Sequence, residues 1–153
     1  VLGEEGVELV DSTLLLRSHL TTEGPMTKRG PDKRERADFD FGVKIARGLA
    51  GLDIGQTVVV KTKSVVAVEA MEGTDAAIRR AGNVVDGPLT VIKVARPRQD
   101  MRFDVPVVGP TTIESMAASG GTALGLEIGR VILLEREVLL RNADECGIAV
   151  VGI

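Results

Sequence analysis

Short runs of β-branched and aliphatic residues alternate with stretches of helical periodicity along this chain, and this alternation constrains the fold more than any other feature. The strand-like runs are TVVV, VVAVEAM, LTVIKVA, TALGLE, VILLE and IAVVGI. Helical stretches lie between them, and three of these begin near residues suited to a helix start, namely Asp32, Thr74 and Pro110. The pattern predicts a single α/β domain in which helices pack on a mixed sheet.

Individual elements can also be expected along the first half of the chain. Val7–Val10 is predicted to form a short strand, and the segment Thr21–Pro31, which contains two Gly-Pro pairs, is predicted to be a loop. Apolar residues then recur at three- and four-residue spacing over Asp32–Ala50, which indicates a long helix. The helix that follows the sequence EGTD is expected to stop after about two turns, at Gly82.

The composition limits the functions that this chain can have. Its 153 residues are 44% hydrophobic and 27% charged, which is typical of one ordinary globular domain with a buried core. It contains three Phe, no Trp and no Tyr, and its formal net charge is −3. Stacking platforms for bases and a basic field for phosphate backbones are both missing, so we expect no nucleic-acid partner.

Cysteine and histidine each occur once. Because Cys146 has no second cysteine to pair with, an internal disulfide is impossible and a reducing, cytoplasmic compartment is expected. The single histidine, His19, excludes multi-histidine metal centres, and a Ser-His-Asp triad would have to use it. No run in the sequence approaches the roughly 20 apolar residues that a membrane helix needs. Any catalysis must therefore come mainly from carboxylates, lysine, arginine and backbone amides.

The turn EGTD, Glu72–Asp75, is the first candidate site. It follows a predicted strand and opens a predicted helix, whose N-terminus offers unpaired N–H groups and the positive end of its dipole to phosphate oxygens. Arg79 lies about one turn into the same helix. A purely structural interpretation is also open, in which Asp75 caps the helix and Glu72 is solvated.

The segment VIKVARPRQDMRFDVP is the second candidate site. Lys93 lies inside an apolar strand, where an unpaired ammonium is costly, so we expect it to face a cleft or a carboxylate. If the chain beyond this strand is extended, period-two geometry places Asp100, Arg102 and Asp104 on one side. An ion-pair ladder on an edge strand would explain the same charges. The position after a buried strand favours a site, because α/β sheets form ligand crevices there.

Together the two segments supply the groups that pyrophosphate chemistry requires. Carboxylates bind magnesium, and basic side chains neutralise phosphate oxygens. Such a site does not need histidine. We expect the EGTD turn and the segment around Asp104 to converge on one crevice that holds a metal ion and two linked phosphates.

The segments DIGQTVVVK, VEAMEGTDAAIRRAG, VIKVARPRQDMRFDVPVVGPTTIESMAASGG and GIAVVG resemble the C-terminal part of bacterial UDP-2,3-diacylglucosamine pyrophosphatases of the LpxI type. The resemblance covers most of the chain, including ELVDSTLLL and TEGPMTKRGPD. It implies hydrolysis of UDP-2,3-diacylglucosamine to UMP and 2,3-diacylglucosamine 1-phosphate, with Mg²⁺ or Mn²⁺ as cofactor. This reaction is a step of lipid A synthesis on the cytoplasmic side of the inner membrane.

The resemblance also implies roles for single residues, and the aspartate of RFDVP matches the essential aspartate of the family. The expected residues form a catalytic group (Asp104, Asp100 and Lys93), a substrate-binding group (Gly73, Thr74, Arg79 and Arg102) and a metal-binding group (Asp75, Glu72 and Asp104). The basic residues would neutralise the pyrophosphate as charge develops on the leaving phosphate.

Partners follow from the same resemblance. Residues 1–153 would be the C-terminal catalytic or substrate domain, and an N-terminal domain that is absent from this chain would help to enclose the substrate. The expected partners are this domain, an acylated sugar nucleotide and, peripherally, the surface of the inner membrane; a homodimer is a further expectation. Two alternatives stay open, namely a non-catalytic module that binds a phosphate or a partner domain, and a phosphohydrolase for another sugar nucleotide.

Overall fold

The computed structural model describes Gly6, residues 13–100 and residues 104–153, and the expected helices and strands alternate along them. The helices are α1 (Lys33–Gly51), α2 (Thr74–Val84), α3 (Pro110–Ala118) and α4 (Arg136–Glu145). The strands are β1 (Gly24–Pro25), β2 (Thr57–Lys61), β3 (Ser64–Val68), β4 (Leu89–Lys93), β5 (Val107–Val108), β6 (Gly121–Leu126), β7 (Ile132–Leu133) and β8 (Ala149–Gly152). The strand predicted at Val7–Val10 lies outside the described residues.

Six of these strands form one mixed sheet in the order β1-β8-β6-β4-β2-β3, so the predicted α/β fold is confirmed. The three central strands β4, β6 and β8 are parallel, whereas β1, β2 and β3 pair antiparallel with their neighbours. The β2–β3 hairpin turns at Thr62 and Lys63, whose φ angles of 48° and 57° match the left-handed conformation of tight hairpin turns. The hairpin therefore extends the sheet on the far side of β4.

Helices cover both faces of the sheet. On one face, α2, α3 and α4 enclose a cluster of buried aliphatic residues and methionine that includes Ile78, Leu89 and Met116. On the other face, α1 packs Phe39 and Ala46 against a second cluster. A core built mainly from aliphatic side chains agrees with the scarcity of aromatic residues in the sequence.

The start of α1 follows its sequence signals, since the Asp32 carboxylate accepts the Glu35 N–H and the Glu35 carboxylate accepts the Asp32 N–H. The expected end of α2 is wrong, because the helix continues through Gly82 to Val84. Gly82 serves close packing instead: a Cβ atom there would lie 2.7 Å from Cβ of Ser119, at the end of α3.

The short strands β1 and β5 were not predicted, and the VILLE strand was predicted too long. Gly24–Pro25, inside the predicted loop, pairs with β8 at the edge of the sheet. Only Ile132 and Leu133 of the predicted VILLE strand are in a strand, and they pair in parallel with β5, outside the main sheet. This two-stranded sheet anchors the chain just after Asp104, beyond the carboxyl ends of the parallel strands.

Candidate active site

Lys93 is the last residue of β4 and lies at the carboxyl end of the parallel strands. It is buried, with 6% of its surface exposed. Its Nζ donates a hydrogen bond to Oγ1 of Thr74, at a distance of 2.5 Å. Among the described residues, Lys93 forms no ion pair within 4 Å, so its direct partner is a hydroxyl group rather than a carboxylate.

Thr74 links Lys93 to Glu69, which directly follows β3. The Thr74 hydroxyl donates to Oε1 of Glu69 at 2.9 Å, and Oγ1 of Thr57 lies 3.3 Å from Oγ1 of Thr74. The other oxygen of Glu69 accepts the backbone N–H of Gln56 at 3.3 Å. In the sequence, Glu69 lies within the predicted strand VVAVEAM and was not assigned to the site, although an acid just before the EGTD turn is a signal for it.

The charges around Lys93 come from three separate segments. Burial lowers the pKa of Lys93, while the carboxylates of Glu69, Asp75 and Asp104 raise it, and the net effect is a pKa below the usual lysine value. Asp75 belongs to the EGTD turn and Asp104 to the second candidate segment. The structure therefore brings both segments into the electrostatic environment of one buried ammonium.

Two cavities occupy the place of the single expected crevice. The larger, of about 610 Å³, is lined by polar residues that include Asp53, Arg96, Arg98, Gln99, Asp100 and Asp104. The smaller, of about 390 Å³, is lined by Glu72, Gly73, Thr74, Asp75, Arg79 and Thr112, together with the apolar side chains of Val107 and Leu134. Lys93 itself lines neither cavity, so the expected cleft does not reach it; it is bonded to Thr74, which lines the smaller cavity, and Asp104, which lines the larger one, raises its pKa.

The EGTD turn opens α2 without a side-chain cap. Gly73 is the N-cap residue and has a φ of 83°, a conformation that favours glycine. Asp75 does not cap the helix; its carboxylate accepts a hydrogen bond from Oγ1 of Thr112 at 2.9 Å.

The two other charged residues of this region bond to side chains outside the EGTD turn. The carboxylate of Glu72 lies 2.5 Å from the guanidinium of Arg80, and the hydrogen bond from Arg80 lowers the pKa of Glu72. Arg79 donates to Oγ of Ser115 at 2.7 Å and thereby ties α2 to α3.

The segment before β5 places Asp104 beside groups that the sequence did not single out. Nε2 of Gln99 donates to Oδ2 of Asp104 at 2.5 Å, and Nη1 of Arg96 lies 3.5 Å from the same oxygen. Arg96 also reaches Oδ1 of Asp53 at 3.3 Å. Arg102, the base expected at this place, lies outside the described residues.

The chain between Asp100 and Asp104 was expected to be extended, and residues 101–103 of it lie outside the described residues. The backbone N–H of Asp104 donates to the carbonyl oxygen of Asp100 at 3.1 Å, so the two ends of this segment lie close together. The predicted strip of Asp100, Arg102 and Asp104 on one side of a strand includes Arg102 and stays a prediction.

The arrangement of carboxylates decides what kind of metal site is compatible with the chain. Among the described residues, no group of three His, Cys, Asp or Glu side chains could hold a metal ion, so Glu72, Asp75 and Asp104 do not form the expected cluster. Magnesium commonly uses one or two carboxylates and completes its shell with phosphates and water. Asp75 and Asp104 can each supply such a carboxylate, but they line separate cavities, and Glu72 is engaged by Arg80.

Comparisons with known proteins identify the family of the chain. Residues 22–151 match the LpxI C-terminal domain family. The chain is also 34% identical to UDP-2,3-diacylglucosamine pyrophosphatase LpxI from Caulobacter vibrioides over 158 aligned positions, which cover 98% of this chain and 56% of the relative. The chain thus spans little more than half the length of that relative. It belongs to the LpxI family and corresponds to its C-terminal domain.

Proposed function

We propose that this chain forms part of a UDP-2,3-diacylglucosamine pyrophosphatase of lipid A biosynthesis. The reaction would hydrolyse the pyrophosphate bond and release UMP and 2,3-diacylglucosamine 1-phosphate. The observation that carries the proposal is the buried Lys93 ammonium, which has a hydroxyl as its direct partner and the carboxylates of Asp75 and Asp104 nearby. Membership in the LpxI family supports the choice of substrate.

Lys93 is suited to neutralise a pyrophosphate. An ammonium has three N–H donors, and Thr74 accepts one of them. The others can be donated to phosphate oxygens. Because Lys93 is buried, its attraction to an anion is screened less than it would be in water. The same charge would stabilise the leaving phosphate in the transition state.

The start of α2 is suited to hold phosphate oxygens. Its first backbone N–H groups have no partner within the helix and carry the positive end of the helix dipole. Gly73 leaves the approach open, since a Cβ atom at this position would meet nothing within 4 Å. Arg79 lines the same cavity and adds a positive charge. The substrate-binding role of Arg102 stays a prediction.

Asp104 is suited to activate the attacking water. The water oxygen would bond to one phosphorus, the bond from that phosphorus to the bridging oxygen would break, and the proton of the water would pass to the carboxylate. Gln99 and Arg96 hold this carboxylate from two sides. Asp100 lines the same cavity and is proposed as a second acid of the site.

We propose Mg²⁺ or Mn²⁺ as the cofactor, held by Asp75 and Asp104 together with the pyrophosphate oxygens. When bound, the metal would supply an electrophile that polarises a phosphoryl oxygen. The requirement for a metal can be checked separately from the rest of the proposal, by adding a chelator to an active sample.

The lipid part of the substrate requires an apolar surface near the site. Val107 and Leu134 are exposed and line the smaller cavity. Leu52, Ile54 and Met71 are exposed as well, in the loops that follow α1 and β3. These side chains support contact with acyl chains or with the N-terminal domain.

No helix among the described residues is long and apolar enough to cross a membrane. We propose a peripheral, cytoplasmic position at the inner membrane. A homodimer stays a proposal.

The decisive experiment measures UMP release. The protein that carries this chain is incubated with UDP-2,3-diacylglucosamine and Mg²⁺, with and without EDTA, and compared with its Asp104→Asn variant. Asp86→Asn is the matched control, because Asp86 is exposed and precedes β4 at the opposite end from Lys93. We expect Asp104→Asn to lower turnover by at least about a hundredfold and Asp86→Asn to leave it unchanged.

The outcomes separate the alternatives. Normal turnover of Asp104→Asn would refute the role of Asp104. Substrate binding by the unaltered protein without UMP release, at every metal concentration, would favour the non-catalytic module. Hydrolysis of a different sugar nucleotide in a substrate panel, with none of UDP-2,3-diacylglucosamine, would favour the other phosphohydrolase.

A further inference from the structure

We propose that Glu69 is a positioning residue that acts on Lys93 through the hydroxyl of Thr74, so that the three side chains work as one relay. The inference rests on the proposed function, because it assigns to Lys93 the task of holding a substrate phosphate as a charged ammonium. Glu69 itself would not touch the substrate.

The hydrogen bonds of the relay run in one direction. Lys93 donates to Oγ1 of Thr74 at 2.5 Å, and the Thr74 hydroxyl donates to Oε1 of Glu69 at 2.9 Å. A hydroxyl can accept from an ammonium and donate to a carboxylate at the same time. Through Thr74, the negative charge of Glu69 stabilises the charged form of Lys93, and the hydrogen bond from Nζ to Thr74 fixes the position of Nζ.

The backbone fixes Glu69 independently of Lys93. Its N–H donates to the carbonyl oxygen of Thr57 at 2.9 Å, and its Oε2 accepts the N–H of Gln56 at 3.3 Å. Gly55 allows this close approach, because a Cβ atom at this position would lie 1.9 Å from the carbonyl oxygen of Glu69. The carboxylate is thus held on a rigid part of the sheet edge, as a positioning group should be.

The intervening hydroxyl has a chemical consequence. A carboxylate in direct contact with Lys93 would neutralise the ammonium and occupy the space of an anionic ligand. With Thr74 between them, the charge is balanced in part, and no other described residue accepts a hydrogen bond from Nζ, so N–H donors can be offered to phosphate oxygens. A merely structural buried lysine would be expected to pair directly with an acid.

Among the described residues, charged groups from three segments act on Lys93. They are Glu69 after β3, Asp75 in α2 and Asp104 before β5. The two neighbouring strands add no charge, since Lys93 is paired with Thr57 of β2 and Leu126 of β6. Glu69 differs from Asp75 and Asp104 because a hydrogen-bonded side chain connects it to Lys93.

The test uses the variants Glu69→Gln, Thr74→Val and Thr74→Ser in the protein that carries this chain. Glu145→Gln, at an exposed position at the end of α4, is the control for loss of one negative charge. The pH dependence of kcat/KM and the melting temperature are measured for each. The titration of Lys93 is followed without substrate by NMR of ¹³C-labelled lysine, with its signal assigned from Lys93→Met.

Removing the charge of Glu69 makes the ammonium easier to deprotonate. We therefore expect Glu69→Gln to move the alkaline limb of kcat/KM, and the Lys93 titration, to lower pH by about one unit. Thr74→Ser retains the hydroxyl and should stay within about threefold of the unaltered protein, while the isosteric Thr74→Val should lose about tenfold or more. Glu145→Gln should change neither quantity.

Three results would overturn the relay. One is an unchanged Lys93 titration in Glu69→Gln, and another is a shift to higher pH. The third is equal activity of Thr74→Val and Thr74→Ser. A failure of the proposed function is recognised separately: if the unaltered protein releases no UMP while the Lys93 titration still shifts in Glu69→Gln, the relay stands and the assigned reaction does not.

Discussion

The two ends of the central sheet both contain buried charges, but they neutralise them in different ways. At the amino ends of the parallel strands, Glu35 is 1% exposed and receives two hydrogen bonds from Arg29, at 2.8 and 3.0 Å. Asp38 is equally buried and pairs with Arg34 at 3.1 Å. At the carboxyl ends, a hydroxyl is the only hydrogen-bond partner of the Lys93 ammonium in the described part of the chain.

At the amino ends of the parallel strands, which we call the paired end, both oxygens of the Asp38 carboxylate accept hydrogen bonds. Asp38 accepts the backbone N–H of Lys63 at 2.7 Å and the hydroxyl of Thr90 at 3.1 Å, besides the guanidinium of Arg34. These bonds join α1 to the hairpin turn and to β4. A buried charge with a complete set of partners specifies a packing arrangement, whereas a buried charge with spare donors indicates a place for a ligand. The degree of pairing therefore separates a structural cluster from a functional one.

The largest effect on activity is expected at the carboxyl ends of the parallel strands, where Lys93 lacks a directly bonded carboxylate. Lys93→Met keeps the length of the side chain and removes the charge, so UMP release should fall by about a hundredfold to a thousandfold. The free energy of unfolding should change by less than about 1 kcal/mol, since replacing a buried ion by an apolar residue is often neutral. Lys44→Met, at an exposed position on α1, is the control. Unfolding of Lys93→Met, measured by urea titration, would contradict the functional interpretation.

At the paired end, we expect a substitution to lower the stability of the fold and to leave substrate binding unchanged. Glu35→Gln leaves the guanidinium of Arg29 without its carboxylate, and we expect a loss of about 2 to 3 kcal/mol in the free energy of unfolding. The value lies below that of a fully buried pair because 38% of the Arg29 side chain is exposed. Substrate affinity of the folded variant should be unchanged. A Glu35→Gln variant that is fully stable but does not bind substrate would contradict the structural role of this cluster.

A smaller effect is expected from the packing that holds α2, and with it Thr74, in place. Gly82→Ala should cost about 1 to 3 kcal/mol, because the new Cβ would lie 2.7 Å from Cβ of Ser119. It should also reduce activity by displacing α2. Gly48→Ala in α1 is the matched control: nothing lies within 4 Å of its Cβ position, so it should gain about 0.5 to 1 kcal/mol. Equal melting temperatures of the two variants would argue against this packing.

The smallest effect is a difference in pH dependence. Burial raises the pKa of Glu35, but hydrogen bonds from Arg29 and from the Asp32 backbone outweigh it, so the pKa lies below its usual value of 4.5. Glu35 then stabilises the fold above that pH, and the contribution is lost as the pH falls through the lowered pKa. The melting temperature of the unaltered protein should approach that of Glu35→Gln in acid, by a few degrees. A constant difference between pH 7 and pH 3 would contradict this.

Lys93 should show a pH dependence of the same direction as Glu35 but in the alkaline range, although its charge destabilises the fold rather than stabilising it. A lysine with a lowered pKa destabilises the fold while it is charged, so the stability should rise as the pH increases from its lowered pKa towards the usual lysine value. The comparison of Lys93→Met with the unaltered protein over that pH range tests the sign.

Much of the fold was predictable because its signals are local. Hydrophobic periodicity located the helices, and Asp32 was correctly identified as the cap of α1. The end of α2 was wrongly predicted at Gly82, because this glycine packs against Ser119 at the end of α3, which lies far away in the sequence. The strand at Gly24–Pro25 exists only because β8 lies beside it, which no local pattern reveals.

The site was predictable in part for the same reason. A lysine inside an apolar strand is unusual in itself, and this anomaly pointed to Lys93 correctly as a buried cation. Its neighbour Glu69 and the partner of Asp104, Arg96, were not chosen, because charged residues at strand ends are common. Only the order of the strands decides which of them face each other.

By itself, the sequence determined the α/β class, the chief helices and strands, and the presence of a cation where apolar residues are expected. These depend on periodicity and on the cost of burying charge, both of which act along a few consecutive residues. The tertiary structure decided that Thr74 stands between Lys93 and Glu69, that Asp75 bonds to Thr112 and that the N–H of Asp104 bonds to the carbonyl oxygen of Asp100. Such pairings depend on strand order and helix packing, which bring together residues that are distant in the chain.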